Sequence, residues 1–580
     1  MARANPNNSL VDAGWDRRNR RHHGFGNLRF GSNHHVTDAL GTKDANRRHT
    51  MEVEGLSSRW ESAHSVSSGL TAVLDIGKTK CALVLLDDKG EIVVTRTRPC
   101  SVVKTGLRFP ALDTVETQTW FRSEMQALGE LKARLRRIIV TTHGAALAAV
   151  RDDALVFPVP DYEWSGFEEL RKNTDQSFDE TLSPLLPRGL NLGIQLDWLE
   201  HHHPELMAEV EVLMPYPQYW AFWLSGIASS EVSSLGCHTL LWNPHTQDFS
   251  NWARTRAWSS RFAPRRRAWE TLGTVRQDLA DELGLPRSVQ VHVGAHDSNA
   301  CMAQYLRNWP RMTLVSSGTW AVVMAPGSST ERLHPSLDQL GNVSVRGESV
   351  PTGRFMGGRE FARLCAGADP YLASMACVEH LLRRGLRILP GFESQGGPFA
   401  QMSGEIWLDG RSFTLEDWRQ AIDPAERAAA AALYAAYVTA WLIKRLGGFG
   451  PIVVDGPFAK NRIILEVLAA LFPQFDVYAS DDSIDGTVRG SWTLTRWTEP
   501  GMSGPRVRAV TVRKSVAGPL LYNFERWPGH HSRGAIIDSY EHAFGSALMR
   551  QSRPAYGAAS TGAAFQGWTA CRVPLSISTR

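Results

Sequence analysis

"LTAVLDIGKTKCALVLLDDKGEIV" (residues 70–93) joins two alternating apolar runs through a corner that holds Asp75, Gly77, Lys78 and Thr79, with a charged "DDKGE" turn behind it. The alternation predicts a β-hairpin. A plain hairpin does not need an acid, a lysine and a hydroxyl at one tight corner. Backbone N–H groups of a Gly-bearing turn can converge into an anion-binding concavity. Lys78 adds a cation there and Thr79 a hydroxyl donor. Asp75 at the strand end suits a Mg²⁺ ion held through water, because Mg²⁺ usually keeps several of its waters. The rival reading is an ordinary hairpin with a polar corner. A P-loop is excluded, since the GxxxxGK[ST] spacing is absent.

The same device returns downstream. "MTLVSSGTWAVVMAP" (312–326) predicts two strands meeting at Ser317, Gly318 and Thr319. "GPIVVDGPFAKNRIILEVLAALF" (450–472) predicts strand, glycine turn and helix. Gly456 there permits close backbone approach, and Asn461 stands where the helix begins. Two hairpins with polar glycine corners, one per half, predict a duplicated α/β unit with a ligand cleft between the halves. "VQVHVGAHDSNACMAQYL" (289–306) predicts strand, turn and helix. Asp297 at that turn reads either as a helix N-cap or as a general base for a substrate hydroxyl.

Between these pieces, "GELKARLRRIIVTTHGAALAAV" (129–150) predicts a basic amphipathic helix followed by a buried strand at Ile138–Thr142. Residues 189–206, 215–227 and the Ala-rich 426–446 are helical in character. "HHH" at His201–His203 is a poor metal site, because consecutive helix positions diverge. Arg265–Arg267 reads as solvated loop charge.

At 580 residues the chain exceeds a single core, and two or more domains are expected. Residues 1–68 are rich in Asn, Arg, His, Ser and Gly and predict a disordered extension; 531–580 predict a poorly ordered tail. Domains are expected at 69–298 and 299–530. The net charge of +4 is small for this length and gives no reason for a nucleic-acid partner. No apolar run approaches the ~18 residues of a membrane span, and the start has no apolar region of the secretory kind. A cytoplasmic location is expected. The 7 cysteines are scattered, without a CxxC pair, which favours buried thiols over disulfides or zinc.

Taken in order, these pieces resemble the FGGY carbohydrate kinases of the actin-like sugar-kinase superfamily, from about residue 70 to 497. "DIGKT" is similar to the family's first phosphate loop and "SSGTW" to its second. "VDGPFAKN" with "DGTVRGSW" (485–492) resembles the adenosine region, and "GAHDSNA" (294–300) the catalytic aspartate segment. The resemblance implies two ribonuclease-H-like α/β domains around a central cleft. It implies ATP and Mg²⁺ as cofactors and a small-molecule sugar as partner; a homodimer stays open. By position, Asp297 would be the catalytic base, and His143, Gly144 and His296 would face the sugar. Lys78, Thr79, Ser317, Gly318 and Thr319 would line the phosphates, and Gly456 and Asn461 would lie near the nucleotide. "SSGTW", "HD" and "GGRE" (357–360) resemble the L-rhamnulose and L-fuculose kinase branch, which implies a ketose acceptor. The rivals are a kinase of a polyol or sugar acid, and a non-catalytic nucleotide-binding regulator on the same fold. Trp492 departs from the small residue usual in the adenosine segment.

Overall fold

The opening hairpin forms where its alternation places it. In the computed structural model, which describes residues 69–511 except 173, 175 and 395, together with 520, 523–525 and 527, β1 (Leu70–Ile76) pairs antiparallel with β2 (Lys80–Leu86), and β2 with β3 (Ile92–Pro99). Six of the seven β1 residues are buried, as a near-continuous apolar run covered on both faces requires. The helix α1 (Thr114–Ala127) leads into β4 (Leu135–Thr142), parallel to β1. After α2 (Tyr216–Ser225) come β5 (Thr271–Thr274) and β6 (Gln290–His292), which complete the sheet in the order β5-β6-β4-β1-β2-β3. The two-residue strand Ala295–His296 also pairs with β4. Phe121 and Met125 of α1 and Trp220 of α2 bury against this sheet.

Next, α3 (Asp297–Leu306) crosses to a second sheet that repeats the plan. There β7 (Thr313–Ser317) pairs antiparallel with β8 (Ala321–Met324); β9 (Gln339–Val343) and β10 (Ser349–Phe355) extend that edge. The helices α4 (Gly357–Cys365) and α5 (Pro424–Arg445) precede β11 (Ile452–Asp455), which is parallel to β7 as β4 is to β1. Then follow α6 (Arg462–Leu471), β12 (Val477–Ser480), α7 (Gly486–Leu494) and β13 (Val507–Ala509). The order is β9-β10-β8-β7-β11-β12-β13. Helix α5 is capped by Asp423, has Pro424 in its first turn and Lys444 and Arg445 in its last, and is buried nearly all round.

The two sheets meet through α3 and α7. Ala300 and Met302 of α3, Val488 and Trp492 of α7, Val73 of β1 and Leu314 of β7 share one core. The helices approach so closely that a Cβ at Gly490 would lie 1.7 Å from the Ala300 carbonyl oxygen, so only glycine fits there. Arg489 ties α7 to the first hairpin by donating to the Gly90 carbonyl (2.7 Å), and Arg496 does so by pairing with Asp88 (2.9 Å).

Two stretches differ from expectation: Arg265–Arg266, read as loop charge, are exposed but form a two-residue strand paired with Ser230–Glu231. The helix expected at the start of 129–150 is a 3₁₀ segment, Gly129–Arg134, and the strand begins at Leu135. Gly129 at φ 55° breaks the regular helix there. The extension 1–68 and the tail 531–580 lie outside the described residues, as does half of "GPLLYNFERW" (518–527), of which Leu520, Phe524 and Trp527 are buried in the second core. Among the described residues no helix is long and apolar enough to cross a membrane.

Candidate active site

The first corner closes with Gly77 N–H donating to the Lys80 carbonyl (3.0 Å), and His143 N–H extends the β1–β4 ladder to the Ile76 carbonyl (2.9 Å). Asp75 thus sits at the end of β1, beside this corner. Burial, then the carboxylates of Asp485 and Asp297, push its pKa well above the usual range, against a smaller pull from Lys80. Three acids from the two halves therefore face one space, a charge distribution that a cation would relieve. Thr79 is exposed. Lys78 is engaged: its ammonium pairs with Asp161, lies 3.6 Å from Glu163 and sits 5.3 Å from the Tyr162 ring centroid. A contact from Lys78 to phosphate requires it to leave Asp161.

The second and third corners are knitted together. Ser317 Oγ donates to the Asp455 carbonyl and accepts from Phe458 N–H (2.9 Å), so the hydroxyl expected at the phosphates holds the two loops in register. Gly456 adopts φ 78°, ψ −157°, and a Cβ there would lie 2.0 Å from the Ser317 carbonyl oxygen. Gly318 and Thr319 are exposed. Asn461 caps α6, accepting from Ile463 and Ile464 N–H at 3.1 Å each. Gly318, Gly456 and Asn461 line a cavity of about 920 Å³ with Ser480, Asp485 and Gly486, in the size range of small-molecule sites. Asp455, at the end of β11, accepts from Tyr305 Oη (2.8 Å) and from Gly456 N–H (2.7 Å). Trp492 is not part of this cavity: its Nε1 donates to the Asp87 carbonyl (3.1 Å), with the Arg496 guanidinium 4.5 Å from its ring. The bulk at that position fills the contact with the first hairpin.

Asp297 is the first residue of α3; the N-cap is His296, whose side chain makes no capping bond. The Asp297 carboxylate is about one-third exposed (32%). One oxygen accepts from Ser298 N–H (2.6 Å) and lies 3.1 Å from His296 Nε2. His143 is buried between Tyr162 and Tyr216, ring centroids 5.4 and 5.6 Å away. Its Nδ1 meets the Gly144 carbonyl at 2.8 Å, so in the neutral ring Nδ1 donates and Nε2 remains an acceptor. Burial keeps His143 neutral by lowering its pKa. A Cβ at Gly144 would lie 2.8 Å from His296 Nε2, so this glycine makes room for the imidazole.

Cys237 and His238 complete the group. The ligating atoms of Cys237, His238 and His296 all lie within 4.8 Å of one another, and His238 Nδ1 is fixed by the Leu190 carbonyl (2.7 Å). Burial alone would lower the His296 pKa, but Cys237 and Asp297 outweigh it and raise it to about 9. Burial would raise Cys237, but His296 and His238 draw it down to about 5. His296 is thus an imidazolium held between a thiolate and the Asp297 carboxylate. Sequence reading assigned no role to Cys237, His238, Tyr162 or Asp485, although Asp485 lay inside "DGTVRGSW".

Comparison with known proteins gives this geometry its context. A model of the "Carbohydrate kinase FGGY, C-terminal domain" matches residues 310–503. A carbohydrate kinase from Novosphingobium aromaticivorans is 34% identical, over 80% of this chain and 99% of its own, with a TM-score of 0.70. A ligand-bound xylulose kinase from Lactobacillus acidophilus (15% identity, 83% and 100% covered, TM-score 0.64) and a gluconate kinase from the same organism (14%, 83% and 100%, 0.61) share the fold. A search among curated proteins found no match. Two duplicated sheets with the actin-like ATPase arrangement, and a relative this similar over its whole length, place the chain in the FGGY carbohydrate kinase family, as a sugar kinase with ATP as co-substrate and a small-molecule sugar as acceptor.

Proposed function

We propose that this chain transfers the γ-phosphoryl group of ATP to a hydroxyl of a neutral sugar, foremost a ketose such as L-rhamnulose or L-fuculose, with Asp297 as general base. The observation that carries the reading is the Asp297 carboxylate, which is partly open to the cleft, does not act as the N-cap and is electrostatically coupled to Asp75. The ketose rests on the resemblance of "SSGTW", "HD" and "GGRE" to that branch. Charge pairing favours a neutral acceptor over a sugar acid. Lys78 is matched by Asp161, Arg354 by Asp338 through two hydrogen bonds (3.0 and 3.2 Å), and His296 by Cys237 and Asp297. A carboxylate substrate would have to break one of these half-buried pairs, leaving its partner unmatched.

In this reading residues 69–298 supply the sugar side and 299–530 the nucleotide side. Thr79, Gly318 and Thr319 meet the phosphates, and Gly456 and Asn461 border the nucleotide. Ser317 acts by holding the second and third corners together. Asp75 would hold a Mg²⁺ ion through the ion's waters, with Asp485 and Asp297 adding negative charge nearby; when bound, the ion would supply positive charge against the phosphate oxygens. Asp297 takes the proton of the attacking hydroxyl, an effect of ~10²–10⁴-fold in rate. His296 orients that carboxylate through its ion pair, and neutral His143 offers Nε2 to a sugar hydroxyl. Closure of the halves excludes water. The test is an ADP-release screen over ketoses, aldoses, polyols and sugar acids with Mg²⁺. Turnover confined to sugar acids would overturn the neutral acceptor; nucleotide binding with no turnover on any sugar would favour a regulator.

A further inference from the structure

Cys81 and Cys100 stand directly behind the first corner. Cys81 follows Lys80 in β2 and is fully buried; Cys100 comes just after β3 and is half-buried. The β2–β3 register sets Cys81 against Arg98, and Cys100 N–H donates to the Thr79 carbonyl (2.9 Å). The backbone therefore holds the two side chains diagonally opposed on one face. Their sulfurs are 2.8 Å apart, inside ordinary sulfur–sulfur contact. Cys100 Sγ also lies 3.2 Å from the Gly77 carbonyl oxygen, so one thiol touches both its partner and the turn that carries Asp75 to Thr79.

We propose that Cys81 and Cys100 form a modification site in which a hydroperoxide closes a reversible disulfide, and that this bond slows the kinase by restraining the first corner. The sulfurs need approach by only about 0.8 Å to reach a bond length near 2.05 Å. Cys100 is the attacking thiol. It is the more exposed of the two, and its hydrogen bond from Cys81 lowers its pKa, with Arg98 and Lys78 adding to that against its burial. Cys81 keeps its proton through that hydrogen bond and its burial.

The Cys100 thiolate attacks the peroxide oxygen, forming an S–O bond, breaking the O–O bond and releasing alkoxide or hydroxide. The sulfenic acid is then attacked by Cys81 sulfur; the S–S bond forms, the S–O bond breaks, and the departing hydroxide leaves as water with the Cys81 proton. Two thiols and one hydroperoxide yield one disulfide, one water and one alcohol, or two waters when the oxidant is hydrogen peroxide. A thiol reductant reverses the bond. In the disulfide, Cys100 sulfur no longer offers a proton to the Gly77 carbonyl, and the turn between β1 and β2 is tied to the end of β3. The effect on turnover rests on the reading of this corner as part of the phosphate site; formation of the bond does not.

The experiment treats the full chain with hydrogen peroxide, alkylates remaining thiols under denaturing conditions, and maps cross-linked peptides by mass spectrometry. A Cys81–Cys100 peptide is expected, lost on adding dithiothreitol and absent from Cys100→Ser and Cys81→Ala. Both thiols remaining alkylatable, or Cys100 proceeding to sulfinic acid without pairing, would overturn the site. Turnover of the oxidised enzyme should fall at least tenfold and return with dithiothreitol, while Cys100→Ser stays insensitive. Equal inhibition of Cys100→Ser, or a quantitative disulfide that leaves turnover unchanged, would overturn the coupling to the corner. Failure of the proposed kinase reading would show instead as no turnover by the reduced enzyme on any sugar.

Discussion

Gly318→Val separates a phosphate-contacting loop from a simple turn. A Cβ at Gly318 would meet nothing nearer than the Trp320 carbonyl oxygen at 3.9 Å, an ordinary contact, and the backbone there is not left-handed. Gly318 lines the cavity shared with Gly456 and Asn461, so an added branch reduces the space there. Its effect on the fold should stay within about 0.5 kcal/mol, as for an exposed site. If the branch removes one charge-assisted hydrogen bond to phosphate, the loss is about 1.5–3 kcal/mol, or roughly 10- to 150-fold in affinity. The neighbouring Gly358→Val is the control for packing, because its Cβ would lie 2.3 Å from the Gly318 carbonyl oxygen; it should lower the melting temperature by several degrees. The assay is calorimetric titration with ADP and Mg²⁺ beside a thermal melt. A Gly318→Val protein that melts like the parent and binds ADP within twofold of it refutes the phosphate role.

Asp297→Asn should keep ADP affinity and lose little melting temperature, because Cys237 still pairs with His296 and the amide oxygen can still accept from Ser298, while turnover falls ~10²–10⁴-fold; near-parent turnover in steady-state assays would remove the base. Tyr305→Phe should destabilise the fold by about 1–3 kcal/mol, because Tyr305 Oη donates to the buried Asp455 carboxylate; an unchanged urea midpoint would contradict this. Glu360 is buried beside the Tyr434 hydroxyl and its pKa is raised from 4.5 to about 7. The folded state holds that proton more tightly than the unfolded chain, so the contribution favours folding below about pH 4.5 and is lost as pH rises through about 7. Glu360→Gln should therefore gain on the parent between pH 5 and 8 by up to about 3 kcal/mol, and a gap in urea stability equal at both pH values would refute the sign.

The hairpins were legible because glycine and acid interrupt an alternating apolar run at Asp75 and Gly77, and hydroxyl and glycine do so at Ser317 and Gly318. Helix α1 was not, since its buried positions are Thr114, Thr117, Phe121 and Met125. The spacing is helical, but half the stripe is threonine, so the apolar signal is weak. Asp297 and His296 were legible as a motif. Cys237 and His238 were not, because they lie about 60 positions upstream of His296 and their residue types alone give them no role; the fold brings their ligating atoms within 4.8 Å of one another and of His296. Ser317 shows the opposite case, a residue singled out for its hydroxyl donor whose hydroxyl bridges two loops instead.

The crossing of α3 and α7 carries a mechanical consequence. Their closest approach, Ala300 against Gly490, is one helical turn from Asp297, about 5 Å at 1.5 Å per residue. A rotation of about 10° of one half against the other with this crossing as fulcrum would displace the Asp297 carboxylate by only about 1 Å, while points 20 Å out on the cleft walls would sweep about 3–4 Å, within the range of hinge closures. The same fulcrum lies one turn from Gly486, where α7 borders the cavity lined by Gly318, Gly456 and Asn461. Asp297, the proposed base, and the floor of that cavity therefore sit where leverage is smallest, so on this reading the cleft can gape and shut around a reaction geometry that barely shifts.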